Sequence, residues 1–153
     1  MKVTDAFLGE HAVFYAQFAA CERTLTGADV ACLRREAALI ASALEPHAQL
    51  ENTLLFDDLQ ARAGGGGSIF EVMEQEHTEI ERLLGQIAGA RDAETARHLL
   101  LDVIHAARDH FAKEERVAFP MAEQMIGAAE LLRLGERWAE ARGVSMGDSL
   151  PAW

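Results

Sequence analysis

The sequence predicts an all-α fold, an up-down-up-down four-helix bundle with a short additional C-terminal helix, and three observations carry that prediction. Ala, Leu, Glu and Arg dominate while β-branched residues are few, which favours helix throughout. Apolar residues recur at spacings of three and four over four long stretches. The interruptions between them are short, at Thr26-Gly27, at Gly64-Gly65-Gly66-Gly67 and just before Asp92, so successive helices run antiparallel. The chain of 153 residues is half hydrophobic and one quarter charged, which suits one soluble domain with a sizeable core. That domain is expected over residues 1–143, with 144–153 as a C-terminal tail.

The first helix is expected to start at Thr4, with Val3 and Leu8 as a hydrophobic staple. Its inward stripe is Phe7, Leu8, His11, Phe14, Tyr15 and Phe18. The second runs from about Ala28 to Ala61, its stripe passing through Leu33, Ala37, Ile40 and Leu44 to His47, Glu51, Leu54 and Leu55. Pro46 removes one backbone hydrogen bond and crowds the carbonyl of Ser42, so either a kink or bulge just before His47 or a true break is expected there. The Gly64–Gly67 run is a flexible link. Ser68 caps the third helix, with Glu71 placed for a capping box. Its stripe is Ile69, Val72, Met73, His77, Ile80, Leu83 and Leu84. Asp92 caps the fourth, whose stripe is Leu100, Val103, Ile104, Ala107, His110, Phe111, Glu114, Val117 and Met121. Pro120 bends or ends it. A fifth helix from Ala128 to Arg142 ends at Gly143.

The formal net charge of −11 makes nucleic acid and anionic membrane poor partners. Met1-Lys2-Val3-Thr4-Asp5 is followed by no apolar leader, and no stretch approaches the ~18 apolar residues of a membrane span, so a cytoplasmic location is expected. Cys21 and Cys32 flank the Gly27 turn. They are read as two reduced thiols, or alternatively as a redox pair.

The chemistry lies in a duplicated pattern. His110 and Glu114 are four residues apart, on one face of a helix. His47 and Glu51 repeat that spacing, and Phe56 follows His47 as Phe119 follows His110. A lone histidine precedes each pair, in Glu10-His11 and in Glu76-His77, 36 and 33 residues upstream. All six lie on apolar stripes. A buried carboxylate is costly alone, and four histidines with two glutamates form a polar layer whose charge two divalent cations would balance. Nitrogen and oxygen donors suit iron or manganese and also admit zinc. The His-Glu-x-x-His of zinc proteases is absent. Glu74-x-x-His77 matches half of a ferritin-like motif, but Leu8, Leu44 and Ala107 occupy the places of its second glutamate. His98 and His105 fall about 120° and 140° from His110 around the helix, off the ligand face.

His11, His47-x-x-x-Glu51, Glu76-His77 and His110-x-x-x-Glu114-Glu115 with Phe119-Pro120 behind it resemble the hemerythrin-like (HHE cation-binding) family, over about residues 8 to 126. The resemblance implies a non-haem di-iron centre. His11 and His47 would bind one iron, His77 and His110 the other, and Glu51 and Glu114 would bridge. It also implies departures. Glu81 stands where oxygen-carrying members have a fifth histidine, and is read either as a terminal oxygen ligand or as a surface residue. Tyr15, its counterpart after His11, is read as binding or hydrogen-bonding nearby, or as packing alone. Asn52 replaces an acid.

The resemblance further implies that a diferrous form with an open coordination position binds O2 or NO and is oxidised by peroxide. A more anionic ligand set, with Glu81 in place of an imidazole, favours ferric iron, so binding or sensing of O2, NO, peroxide or iron is expected over reversible O2 carriage. The alternatives are a di-iron enzyme (a peroxidase, or an NO-reducing or iron-donating repair activity) and a metal-free bundle.

Overall fold

The computed structural model describes residues 1–62 and 68–145. The glycine link and the tail from Met146, including Trp153, lie outside the described residues. The described residues form helices and no strand: α1 (Val3–Thr24), α2 (Val30–Glu51), α3 (Asp57–Arg62), α4 (Ile69–Gly89), α5 (Ala93–Lys113), α6 (Phe119–Met125) and α7 (Ala128–Ala141). One π-helical turn, Asn52–Phe56, joins α2 to α3, and another, Glu114–Ala118, joins α5 to α6. The bundle therefore has four rods, α1, α2–α3, α4 and α5–α6, with α7 packed on α1. No described helix is long and apolar enough to cross a membrane.

Local chemistry sets most helix ends. Asp29, Ser68 and Asp92 each accept a backbone N–H of the first turn, from Cys32, Glu71 and Thr95. Gly27 turns the chain with φ of +79°, a conformation glycine adopts without Cβ strain. Arg97 then ties this corner to α5, donating to the carbonyls of Leu25 and Ala28. α7 ends in a Schellman turn: Gly143 has φ of +64°, its N–H donates to the Glu140 carbonyl, and Val144 N–H donates to Ala139.

The start of α1 differs from expectation. Lys2, not Thr4, occupies the capping position, because the Asp5 carboxylate accepts the Lys2 N–H at 3.0 Å. Thr4 is buried inside the helix and donates to Glu123 at 2.6 Å. Leu8 is exposed and forms no staple. The buried positions Val3, Phe7, His11, Phe14, Phe18 and Cys21 define a narrow stripe, and Leu8 falls about 100° from its centre.

Pro46 neither breaks nor bulges α2, which runs through it to Glu51. The widened turn comes later, directly after Glu51, and its twin begins at Glu114. A π turn holds one residue more than an α turn and rotates everything downstream. That rotation explains a second difference: Val117 and Met121 are exposed, while Ala118, Phe119 and Ala122 face inward.

The apolar interior divides into two parts. One contains Phe14, Phe18, Leu33, Ile40, Leu84, Leu100, Ile104 and Phe111. The other contains Phe7, Leu55, Phe56, Phe70, Met73, Phe119 and Leu131. Rings from both parts touch the histidines, so the polar layer lies between them.

Candidate metal centre

His11, His47, Glu51, His77, His110 and Glu114 meet in the middle of the bundle, all at most 6% exposed. Their inward atoms form two groups that share both carboxylates: His11, His47, Glu51 and Glu114, and Glu51, His77, His110 and Glu114. Glu51 turns Oε1 toward His11 and His47, at 3.5 and 3.2 Å, and Oε2 toward His77, at 3.4 Å. Glu114 does the converse, with Oε2 3.3 Å from His11 and Oε1 3.1 Å from His110. Each carboxylate thus serves both halves.

The outward nitrogens explain why the inward ones are bare. His47 Nδ1 faces Glu10 at 2.5 Å, His110 Nδ1 faces Glu76 at 3.0 Å, His11 Nδ1 faces Glu115 at 3.0 Å and His77 Nδ1 faces the Asn52 side-chain oxygen at 3.2 Å. An ionised carboxylate or an amide oxygen only accepts, so each Nδ1 carries the proton and donates. The four Nε2 atoms are then acceptors turned inward. They approach in pairs, at 3.2 Å for His11 and His47 and at 2.8 Å for His77 and His110. The four oxygens of Glu51 and Glu114 are buried and have no hydrogen-bond partner among the described residues. Eight acceptors facing one another without a donor need positive charge among them. That requirement, with nitrogen and oxygen donors throughout, fits a metal-binding site of the di-iron type.

Protons are the substitute when metal is withheld. Burial disfavours a charged His11, but Glu114 and Glu51 outweigh it and raise its pKa to about 10. Burial likewise opposes a charged His110, and Glu114, with Glu76 and Glu51, raises it to about 9. Burial would push the Glu51 carboxyl up, but its neighbours His47, His11 and His77 hold it well below the usual range. The raised histidines make the stability of the metal-free protein fall with pH. Their stabilising contribution is complete below the unfolded value of about 6.5 and is lost as pH rises through 9 to 10. Metal taken up at pH 8 displaces these protons. Titration in weak buffer with an indicator dye should register about two released per chain, and progressively fewer toward pH 10.

The six inner residues expected from the sequence meet here, and Glu81 does not join them. It lies one turn beyond His77 on α4, exposed to solvent and outside both groups, and so adds no third carboxylate to the buried layer. It borders a narrow cavity of about 20 Å³ alongside His47, His77, His110, Leu44, Ile80 and Phe111. Such a space holds one water-sized molecule. Tyr15 donates to Glu115 at 3.1 Å and so supports His11 indirectly; burial, then Glu115, raises its pKa to about 12. His98 and His105 are exposed.

Sequence reasoning missed the outer partners, although a signal existed. Glu10 and Glu76 each directly precede a lone histidine, and each holds the other histidine of its own hairpin. Asn52 and Glu115 directly follow the two inner glutamates, and each holds the lone histidine of the opposite hairpin. The duplication therefore extends to the orienting residues.

Searches of curated proteins and of solved structures returned no match. Residues 2–130 match the family model described as the hemerythrin HHE cation binding domain.

Proposed function

This chain belongs to the hemerythrin HHE cation-binding family, and we propose that its buried layer holds two non-haem irons and binds or senses O2, NO, peroxide or iron itself, without carrying O2 reversibly. The observation behind this reading is the set of eight inward acceptors, in which two unpartnered carboxylates each reach both pairs of imidazoles. His11 and His47 would hold one ion, His77 and His110 the other, and Glu51 and Glu114 would span them. Bound iron would supply the electrons and the exchangeable position that a diatomic ligand or peroxide requires; manganese or zinc are substitutes the donors also accept.

The surrounding residues argue against carriage. Three of the four imidazoles donate to carboxylates, which makes them richer donors and favours the ferric state. Phe111 and Phe119 stack on His11 and keep bulk water away. The cavity beside His47, His77 and His110 leaves room for one small molecule. The cytoplasm is the compartment we propose, where the free thiols Cys21 and Cys32 would stay reduced.

Iron measured per chain on anaerobically purified protein, followed by an optical spectrum on admitting air, tests the reading. The expected result is two irons and an oxidation that evacuation does not undo. A spectrum that reverses over many cycles of vacuum would instead mean carriage. Protein without stoichiometric metal would mean a structural bundle. Steady turnover of peroxide or NO, lost in Glu114→Ala, would mean an enzyme.

A further inference from the structure

We infer that α7 is coupled to the metal layer, with Arg142 and Trp138 as positioning residues that act on His47 through Glu10. This rests on the metal-binding reading above and extends it to a helix most of which lies beyond the matched segment, since the match ends at residue 130 and α7 continues to Ala141.

Glu10 is the junction. Its Oε2 accepts from His47 Nδ1 at 2.5 Å and from Arg142 Nη2 at 2.9 Å. Its Oε1 accepts from Arg142 Nε at 2.7 Å and from Trp138 Nε1 at 3.0 Å. A carboxylate offers about four acceptor positions, and all are taken. The guanidinium fork is bidentate, which fixes the orientation of the carboxylate as well as its charge. The other orienting residues have no such tie to α7. Glu76 pairs with Lys113 on α5, and Glu115 accepts from Tyr15 on α1. Among the described residues, His47 alone of the four imidazoles is steadied from α7.

α7 is built to hold this position. Leu131, Leu134 and Ala139 are buried. Gly135 sits against the Met1 carbonyl, where an added Cβ would lie 2.2 Å from that oxygen. The Schellman turn at Gly143 fixes the backbone on which Arg142 stands. A cation on His47 Nε2 draws electron density from the ring, strengthens the Nδ1–H donor and pulls on Glu10. Arg142 and Trp138 share that carboxylate, so the end of α7 feels whether the site is filled. Coupling of this kind is reciprocal: whatever metal does to α7, α7 does to metal affinity.

Zinc(II), which does not quench fluorescence as a paramagnetic ion does, is the probe, titrated into metal-free full-length protein. Trp153→Phe leaves Trp138 as the only tryptophan. Its emission should change with zinc and saturate with the binding step measured by calorimetry. Arg142→Ala should weaken one of two zinc steps by about three- to tenfold, less than the ~10–100-fold typical when a direct orienting partner is lost, and leave the other step unchanged. Arg142→Lys, which keeps the charge but not the fork, should restore part of that loss. Trp138→Phe, which deletes one donor and keeps the packing, should weaken the same step. If two zincs bind with unaltered affinity in every variant while Trp138 emission stays flat, the coupling is overturned and the metal site stands. Equal weakening of both steps would reduce α7 to general support and overturn it too. Failure of the parent protein to take up zinc would remove the metal reading and this inference together.

Discussion

Glu51→Gln combined with Glu114→Gln is expected to abolish stabilisation by metal and to make the metal-free protein more stable than the metal-free parent. In the parent, free metal at a thousand times its dissociation constant adds about 4 kcal/mol per site. For a domain of this size each kcal/mol moves the melting temperature by ~2–4 °C, so loading should raise it by at least ~10 °C. Chelation takes that away and leaves two buried carboxylates, 0% exposed, balanced only by the protons that His11 and His110 take up. The double amide variant has lost both buried carboxylate charges, so added metal should move its melting temperature by no more than a degree or two. Its amide groups can donate to the bare Nε2 atoms, which carboxylates cannot do. Stripped of metal, it should therefore melt above the stripped parent, as when a buried ionic group is replaced by a satisfied neutral one. Thermal melts of the four samples decide this. If the stripped variant melts lower, and metal stabilises both proteins alike, the carboxylates are not held in place by a cation.

The sequence made the six inner residues legible for a local reason. Spacings of four put His47 over Glu51 and His110 over Glu114 whatever the rest of the chain does, and duplication argued that both pairs meet. The helix caps at Ser68 and Asp92 and the turn at Gly27 were legible for the same reason: each depends on residues three or four apart. Features that depend on tertiary context were not. The π turns after Glu51 and at Glu114 carry no composition signal, so a regular period of 3.6 residues turned Val117 and Met121 inward, while the real helix buries Ala118 and Phe119. Pro46 looked like the site of irregularity, and the helix absorbed it. Glu81 has the right spacing from His77, but spacing fixes only a face of α4; its exposure depends on neighbouring rods. The cross-hairpin clamps from Asn52 and Glu115, and the tie from Glu10 to Arg142 132 residues away, are long-range contacts that no periodicity contains.

Phe111→Ala should produce the largest loss of any single apolar substitution near the site. The ring is 1% exposed and stacks on His11 with centroids 4.0 Å apart and planes 17° apart. It also packs against Phe14, Tyr15, Phe18, His47 and His110. Removing a buried Phe costs about 3–5 kcal/mol, through lost transfer energy and the cavity left behind. A domain of this kind holds only ~5–15 kcal/mol in total, so the stripped variant should lie close to unfolding at ambient temperature. Phe111→Leu keeps most of the volume and should lose far less. Metal and packing then become interchangeable sources of stability: loading adds back roughly what the ring supplied, so Phe111→Ala should fold on metal addition, and far-UV circular dichroism should follow metal concentration. The parent should show helical signal with or without metal. If the alanine variant is as helical as the parent after chelation and melts within two or three degrees of it, the ring does not brace the imidazoles. The rigidity of His11 would then have to come from Glu115 and Phe119.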